Sequence, residues 1–158
     1  VPERFELGTL PYEVLAGCTA MVDFIAGLGE LTGAAPRPVP GSRRAAIIAS
    51  MTAVAEYENS LRVRLEAELA DIPGLTLHSR AARRTPTLLV SHDRVDAQAL
   101  RSALAQAGVN APAGSFYAIE PSRRLGLGDA GRLRIGLAPY TCEEDVDRLL
   151  RALRSALA

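Results

Sequence analysis

The chain has 158 residues, of which 48% are hydrophobic and only 4% aromatic, and its 18 basic residues balance 18 acidic ones. This length suffices for one domain with a sizeable core, built mainly of Ala, Leu, Val and Ile. The balanced charge argues against a nucleic-acid binder, and polar residues interrupt the apolar runs before they reach the length of a membrane span. We therefore expect a protein that binds neither nucleic acid nor membrane.

The basic residues are all arginine, so the chain contains no lysine. Chemistry that needs a lysine Schiff base is therefore impossible within this chain. The two cysteines, Cys18 and Cys142, show neither metal-ligand spacing nor the density of a disulfide scaffold, which favours free thiols in a reducing cytoplasm. His78 and His92 lie far apart without a zinc-type partner, and we expect both to be structural or surface residues and no metal site.

The first half of the chain predicts two helices around a flexible connection. Apolar spacing predicts a helix over residues 11–31. The stretch TGAAPRPVPGS (32–42) follows, and its three prolines and two glycines predict a loop or hinge that is the best internal domain boundary. Ser42 is placed to cap a long helix over about residues 43–72, which a Pro-Gly pair would end.

The second half predicts three short strands with helices between and after them. The apolar, β-prone runs lie at residues 75–79, 85–91 and 132–138. Asp93 or Asp96 is expected to open a helix that Gly108 ends, and Thr141 with Glu144 is expected to form a capping box at the start of the final helix. This order predicts an α+β fold, in which helices including one long helix cover a short, mostly antiparallel sheet.

Arg134 stands inside an apolar run, between Leu133 and Ile135, and Arg132 lies two residues before it. Residues two apart on a strand share a face, so both arginines should point away from the core. They are candidates for a bidentate clamp on a carboxylate or phosphate. The alternative is an ordinary solvated strand face.

Three further segments are candidate binding sites. The Gly8-Thr9 pair in PERFELGT (2–9) can offer backbone N–H groups and a hydroxyl to an anion, or simply begin a helix. The bent segment NAPAGSFYA (110–118) carries the hydroxyls of Ser115 and Tyr117, and is either a binding loop or an anchor of the core. The segment GLGDAG (126–131) lacks the strand before and helix after that a phosphate loop needs, and is predicted to be a turn.

Together, PERFELGT, AEYENSLRVRLEAELADIPGLTL (55–77) and GRLRIGLAPYTCEEDVDRLLRAL (131–153) resemble the C-terminal part of class V aminotransferases. The resemblance is to the cysteine desulfurase-like branch of the fold-type I pyridoxal phosphate (PLP) enzymes, and it covers nearly the whole chain. It implies that residues 1–41 are the tail of the large PLP-binding domain and its hinge, and that residues 42–158 are the small C-terminal domain. The large domain with its lysine would precede Val1, so the chain is expected to be a fragment of a longer protein.

The resemblance also implies roles for individual residues. Gly8 and Thr9 match the pair that contacts the PLP phosphate of the partner subunit. Arg134 matches the arginine that holds the substrate α-carboxylate, and Ser115 and Tyr117 would shape the pocket or relay a proton. Tyr117 stands about where cysteine desulfurases carry their attacking cysteine, and a phenol cannot replace that thiolate. Cys142 is expected at a helix N-terminus, which can lower a thiol pKa, but it does not match the loop position.

The implied protein is a homodimeric, cytoplasmic PLP enzyme that acts on an α-amino acid. Transamination, epimerisation and β-elimination are all compatible with this resemblance, because the protein selects the bond that breaks by orienting the substrate. The alternative from another class is a non-catalytic dimerisation or interaction module, since the chain without lysine cannot be a PLP enzyme alone.

Overall fold

The structure, a computed structural model, describes Arg4 and residues 8–31, 42–79 and 81–158. The chain divides into two compact units, Val1–Glu56 and Tyr57–Ala158. The hinge predicted at residues 32–42 lies almost entirely outside the described residues. The predicted division into domains 1–41 and 42–158 therefore stays a prediction.

The first unit contains helix α1 (Tyr12–Leu31) and the first half of the long helix α2 (Arg43–Ala70). Ser50 of α2 is buried, accepts a hydrogen bond from the Gly29 N–H and donates one to the Ala26 carbonyl, each over 2.9 Å. Its hydroxyl thus joins the two helices inside this unit. The predicted cap also forms, because the Ser42 hydroxyl accepts a hydrogen bond from the Ala45 N–H.

Apolar side chains of α1 remain exposed in the described part of the chain. They include Val14, Leu15, Met21 and Phe24, the last with 61% of its surface accessible. The expectation that the apolar runs stop short of the length of a membrane span is wrong for Tyr12–Glu30, which by length and composition is apolar enough to cross a membrane. Helices that pack on other protein segments meet the same criterion, so the expectation that the protein binds no membrane stays a prediction.

The second unit contains the C-terminal half of α2, four strands and three further helices among the described residues. The strands are β1 (Leu75–Leu77), β2 (Thr87–His92), β3 (Ala113–Gly114) and β4 (Arg132–Gly136). The helices are α3 (Ala97–Gln106), α4 (Ile119–Arg124) and α5 (Glu143–Leu157). All strand pairs are antiparallel, and the sheet order is β1-β2-β4-β3. The predicted α+β class is confirmed.

The core of this unit lies on one face of the sheet, between the strands and helices α2, α3 and α5. Leu88 and Val90 of β2 and Leu133 of β4 are completely buried. The helices contribute the leucines that follow their inner faces: Leu61, Leu65, Leu69, Leu100, Leu104, Leu149, Leu150 and Leu153. The aliphatic core expected from the composition is present, and its burial fixes which face of β4 points outward.

The helix ends show which capping predictions hold. Asp96 caps α3, accepting hydrogen bonds from two backbone N–H groups, and Gly108 follows that helix in the left-handed conformation. The capping box predicted for Thr141 and Glu144 is wrong by one residue: Cys142 caps α5, and Asp145 returns the hydrogen bond. The Thr141 hydroxyl instead accepts from the Ala138 N–H, because the chain turns there before the helix begins.

Candidate functional site

Arg134 lies on the solvent face of β4, as the alternation predicts. Its neighbours Leu133 and Ile135 are buried, whereas Arg134 is exposed and faces the same side as Leu89 of β2. Its guanidinium has no acidic or hydrogen-bonding partner among the described residues. A guanidinium on a paired strand whose N–H groups have no partner is available to bind an anion.

The aromatic ring of Phe116 lies against the Arg134 guanidinium. The Arg134 Cζ atom lies 4.1 Å from the centroid of that ring. A cation over an aromatic face at this distance is attracted by the ring quadrupole, typically by about 0.5–1 kcal/mol at an exposed site. The guanidinium N–H groups make no hydrogen bond in the described part of the chain.

Phe116 and Tyr117 form the centre of a left-handed turn. Their φ angles are +54° and +63°, and the Ala118 N–H donates a hydrogen bond to the Ser115 carbonyl over 2.9 Å. Placing a non-glycine residue in this left-handed region costs about 1–2 kcal/mol. This cost exceeds the stabilisation from the contact between the ring and Arg134. The turn is therefore imposed by its surroundings, and the contact between ring and guanidinium is its consequence.

The constraint on that turn comes from Gly131. A Cβ atom at this position would overlap the carbonyl of Gly114 and the amide nitrogen of Ser115, and Gly131 itself has φ +66°. Gly114 also pairs with Arg132 across the β3–β4 ladder. The backbone of residues 114–115, which leads into the turn, thus lies in close contact with Gly131, which precedes β4.

Arg132 lies on the same outward face of β4, but its guanidinium is hydrogen-bonded. Its guanidinium donates to the carbonyls of Leu127 (2.9 Å) and Gly131 (2.6 Å). These bonds hold the turn at residues 126–131, which is a turn as predicted, next to the strand. In this structure Arg132 stabilises the loop, and Arg134 is the available cation.

Ser115 and Tyr117 lie at the turn beside Arg134, on an open surface. Tyr117 is fully exposed, and neither Phe116 nor Tyr117 belongs to the hydrophobic core. This exposure favours the binding-loop interpretation over the core-anchor interpretation. A cavity of about 260 Å³ lined by Val109, Leu137 and others lies elsewhere in the unit and does not include these residues.

Gly8 and Thr9 precede α1 and are both exposed. A Cβ atom at Gly8 would meet nothing within 4 Å, and the Thr9 hydroxyl makes no hydrogen bond in the described part of the chain. Thr9 therefore does not cap α1, which begins at Tyr12. The rest of the PERFELGT segment, apart from Arg4, lies outside the described residues.

Cys142 is not an activated thiol. The Glu144 carboxylate, through a hydrogen bond with the thiol, raises the pKa of Cys142, and the Asp145 side chain adds to this although its backbone N–H opposes it. The Cys142 Sγ lies 3.2 Å from the Asp145 Oδ2. Cys142 stands at the N-terminus of α5 as expected, but the Glu144 and Asp145 carboxylates raise its pKa there. Cys18 lies exposed on α1.

His92 is held by the backbone around it. His92 is almost completely buried; its Nε2 lies 3.1 Å from the Pro73 carbonyl, and its Nδ1 accepts from the Arg94 and Val95 N–H groups. It is a structural residue, as expected. Among the described residues there is also no group of three or more potential metal ligands.

Comparison with known proteins gives a family and partial relatives. The sequence model of the class-V aminotransferase family matches residues 44–149. An uncharacterized protein of Mycobacterium tuberculosis is 30% identical over 98% of this chain and 37% of its own length. A cysteine desulfurase of Synechococcus elongatus is 28% identical over 97% of this chain and 21% of its own length.

Solved structures show the same fold. The crystal structure of the cysteine desulfurase CsdA from Escherichia coli matches 74% of this chain and 31% of its own chain, with a TM-score of 0.60 and 26% identity. A NifS-like protein from Rickettsia africae matches 72% of this chain and 32% of its own with a TM-score of 0.59; at 20% identity this shows the fold alone. The chain thus spans about a third or less of these relatives.

The close approach at Gly131 predicts a specific sensitivity. Gly131→Ala should lower the free energy of unfolding by about 2–4 kcal/mol, since it combines a left-handed φ with a backbone collision. Gly136→Ala is the matched control at the other end of β4, where a Cβ would meet nothing within 4 Å, and should change stability by less than about 0.5 kcal/mol. Urea denaturation measures both, and equal effects would contradict the account.

The thiol environment predicts slow alkylation of Cys142. In a Cys18→Ser background, the midpoint of the pH–rate profile with iodoacetamide should lie above that of a free cysteine, because Glu144 raises the pKa of Cys142. Glu144→Gln should move the midpoint down by removing a negative charge. Glu143→Gln should leave the midpoint unchanged, because the Glu143 carboxylate pairs with Arg64. A wild-type midpoint below that of free cysteine would refute the assignment.

Proposed function

We propose that this chain, which belongs to the class-V aminotransferase family, supplies the substrate-carboxylate site of a PLP-dependent enzyme that acts on an α-amino acid. Enzymes of this family use PLP. The chain spans only 19–37% of the length of the curated relatives it matches, so the activity of the whole protein belongs to this proposal. Transamination, epimerisation and β-elimination remain the candidate reactions.

The availability of Arg134 carries the proposal. It is exposed on β4, contacts an aromatic ring on one face and has no carboxylate partner among the described residues. Arg132 on the same strand differs, because its guanidinium is bonded to the carbonyls of Leu127 and Gly131. A planar guanidinium with free N–H edges matches a carboxylate through two parallel hydrogen bonds.

The residues present fit part of a PLP site. The exposed Gly8 and Thr9 can offer a backbone N–H group and a hydroxyl to the phosphate, and the resemblance places that phosphate in the partner subunit. The chain has no lysine, so the covalent hold on the cofactor must come from another segment. When bound, PLP acts as the electron sink for the bond broken at the amino acid's α-carbon.

The chain's own residues would then bind and orient the substrate. Arg134 fixes the carboxylate, which limits how the α-carbon can lie. The exposed phenol of Tyr117 and the hydroxyl of Ser115 lie in the same turn, where each can hold a proton at its oxygen or border the substrate. These roles need no cysteine, which agrees with the tyrosine in the loop and with the protonated state favoured at Cys142.

A second candidate function rests on α1. Its exposed apolar side chains, including Phe24, favour an interaction surface. In that case the chain would be a non-catalytic dimerisation or interaction module. The two candidates differ at Arg134, which an assembly module does not require. For the enzyme, the homodimer and the cytoplasmic location are part of the proposal.

The carboxylate site is tested by nuclear magnetic resonance on the ¹⁵N-labelled full chain. Titration with L-alanine should shift the Arg134 Nε–H resonance saturably, and L-alaninol, which lacks the carboxylate, should not. Arg134→Ala should weaken binding by about ten-fold or more, the usual worth of charged hydrogen bonds. Arg134→Lys should fall between, since an ammonium cannot bind bidentately.

The matched control is Arg151→Ala, which removes an exposed arginine from α5 and should leave the dissociation constant unchanged. Equal affinity for L-alanine in the wild type and in Arg134→Ala would refute the carboxylate role. Equal responses to L-alanine and L-alaninol would refute it as well.

A further inference from the structure

The turn beside Arg134 has a strained backbone, and it carries an aromatic side chain that lies outside the hydrophobic core. Phe116 and Tyr117 both have positive φ angles without being glycine. Phe116 is absent from the hydrophobic core and from the residues packed against it. A strained conformation persists only where its surroundings impose it, and such positions cluster at functional sites.

We propose that Phe116 is a positioning residue, whose ring in the Ser115–Ala118 turn holds the Arg134 guanidinium ready for a carboxylate. The inference rests on the proposed function of Arg134. It goes further because it assigns a role to the strained turn, which carboxylate binding by Arg134 alone does not explain.

The geometry supports this task. The Arg134 Cζ lies over the Phe116 ring, 4.1 Å from its centroid, while the guanidinium N–H groups make no hydrogen bond among the described residues. An exposed arginine otherwise samples many rotamers, and that freedom is lost when it binds a ligand. A ring that restricts the side chain beforehand reduces this loss and so strengthens binding.

The position of the ring is itself fixed by the backbone. The Ala118 N–H bonds to the Ser115 carbonyl, and Gly131 admits the entering backbone so closely that no side chain fits between them. The same turn directs Tyr117 fully into solvent. A single conformation thus places Phe116 against the arginine and Tyr117 where it can meet a ligand or another polypeptide segment.

The test separates the ring from the turn. Phe116→Asn removes the ring but keeps a residue type that tolerates the left-handed conformation, and Phe116→Tyr keeps the ring. In the ¹⁵N-labelled full chain, Phe116→Asn should lower the {¹H}–¹⁵N Overhauser effect of the Arg134 Nε and remove its ring-current shift. The dissociation constant for L-alanine should rise about two- to five-fold, the worth of an exposed cation–π contact.

Phe116→Tyr should keep the Arg134 Nε resonance and the affinity for L-alanine at their wild-type values. The Arg151 Nε resonance is the internal reference and should not change in either variant. If Phe116→Asn keeps the wild-type mobility of Arg134 and the wild-type affinity, the positioning role is wrong while the carboxylate site stands. If the wild type itself fails to bind L-alanine at Arg134, both the inference and the proposed function fail. Failure of Phe116→Tyr to rescue would also overturn the positioning role.

Discussion

The candidate site depends on one backbone constraint, the close approach of residues 114–115 to Gly131. No side chain fits at that contact, and the strand pairing of Gly114 with Arg132 holds the two segments together. The turn that follows is left-handed at two non-glycine residues, a cost of about 1–2 kcal/mol each. This left-handed conformation brings the Phe116 ring against Arg134.

Strand β4 joins the site to the core. Its inward residues Leu133 and Ile135 are buried among leucines from α2, α3 and α5, and its outward residue is Arg134. A shift of one residue in register would exchange the two faces, so burial of the leucines also determines the direction of the arginine. The strand face that carries Arg134 is therefore anchored to the packed core.

Much of the fold follows from local sequence signals, whereas the arrangement at the site does not. The alternation around Arg134, the Ser42 cap and the Asp96 cap depend on neighbouring residues and are confirmed. The predicted capping box at Thr141 and Glu144 is wrong by one residue because the preceding turn uses the Thr141 hydroxyl, and Cys142 begins α5 instead. The contact of Phe116 with Arg134 depends on a glycine 15 residues along the chain, and no periodicity reveals such a pairing.

The proposed role of Phe116 requires its ring to stay against Arg134 in solution. The most direct measurement is the nuclear Overhauser effect between the Phe116 ring protons and the Arg134 side-chain protons in the full chain, with and without L-alanine. The account predicts strong effects in both states, because the ligand approaches the free edges of the guanidinium. Their absence from the free chain, or their loss when L-alanine binds, would contradict it.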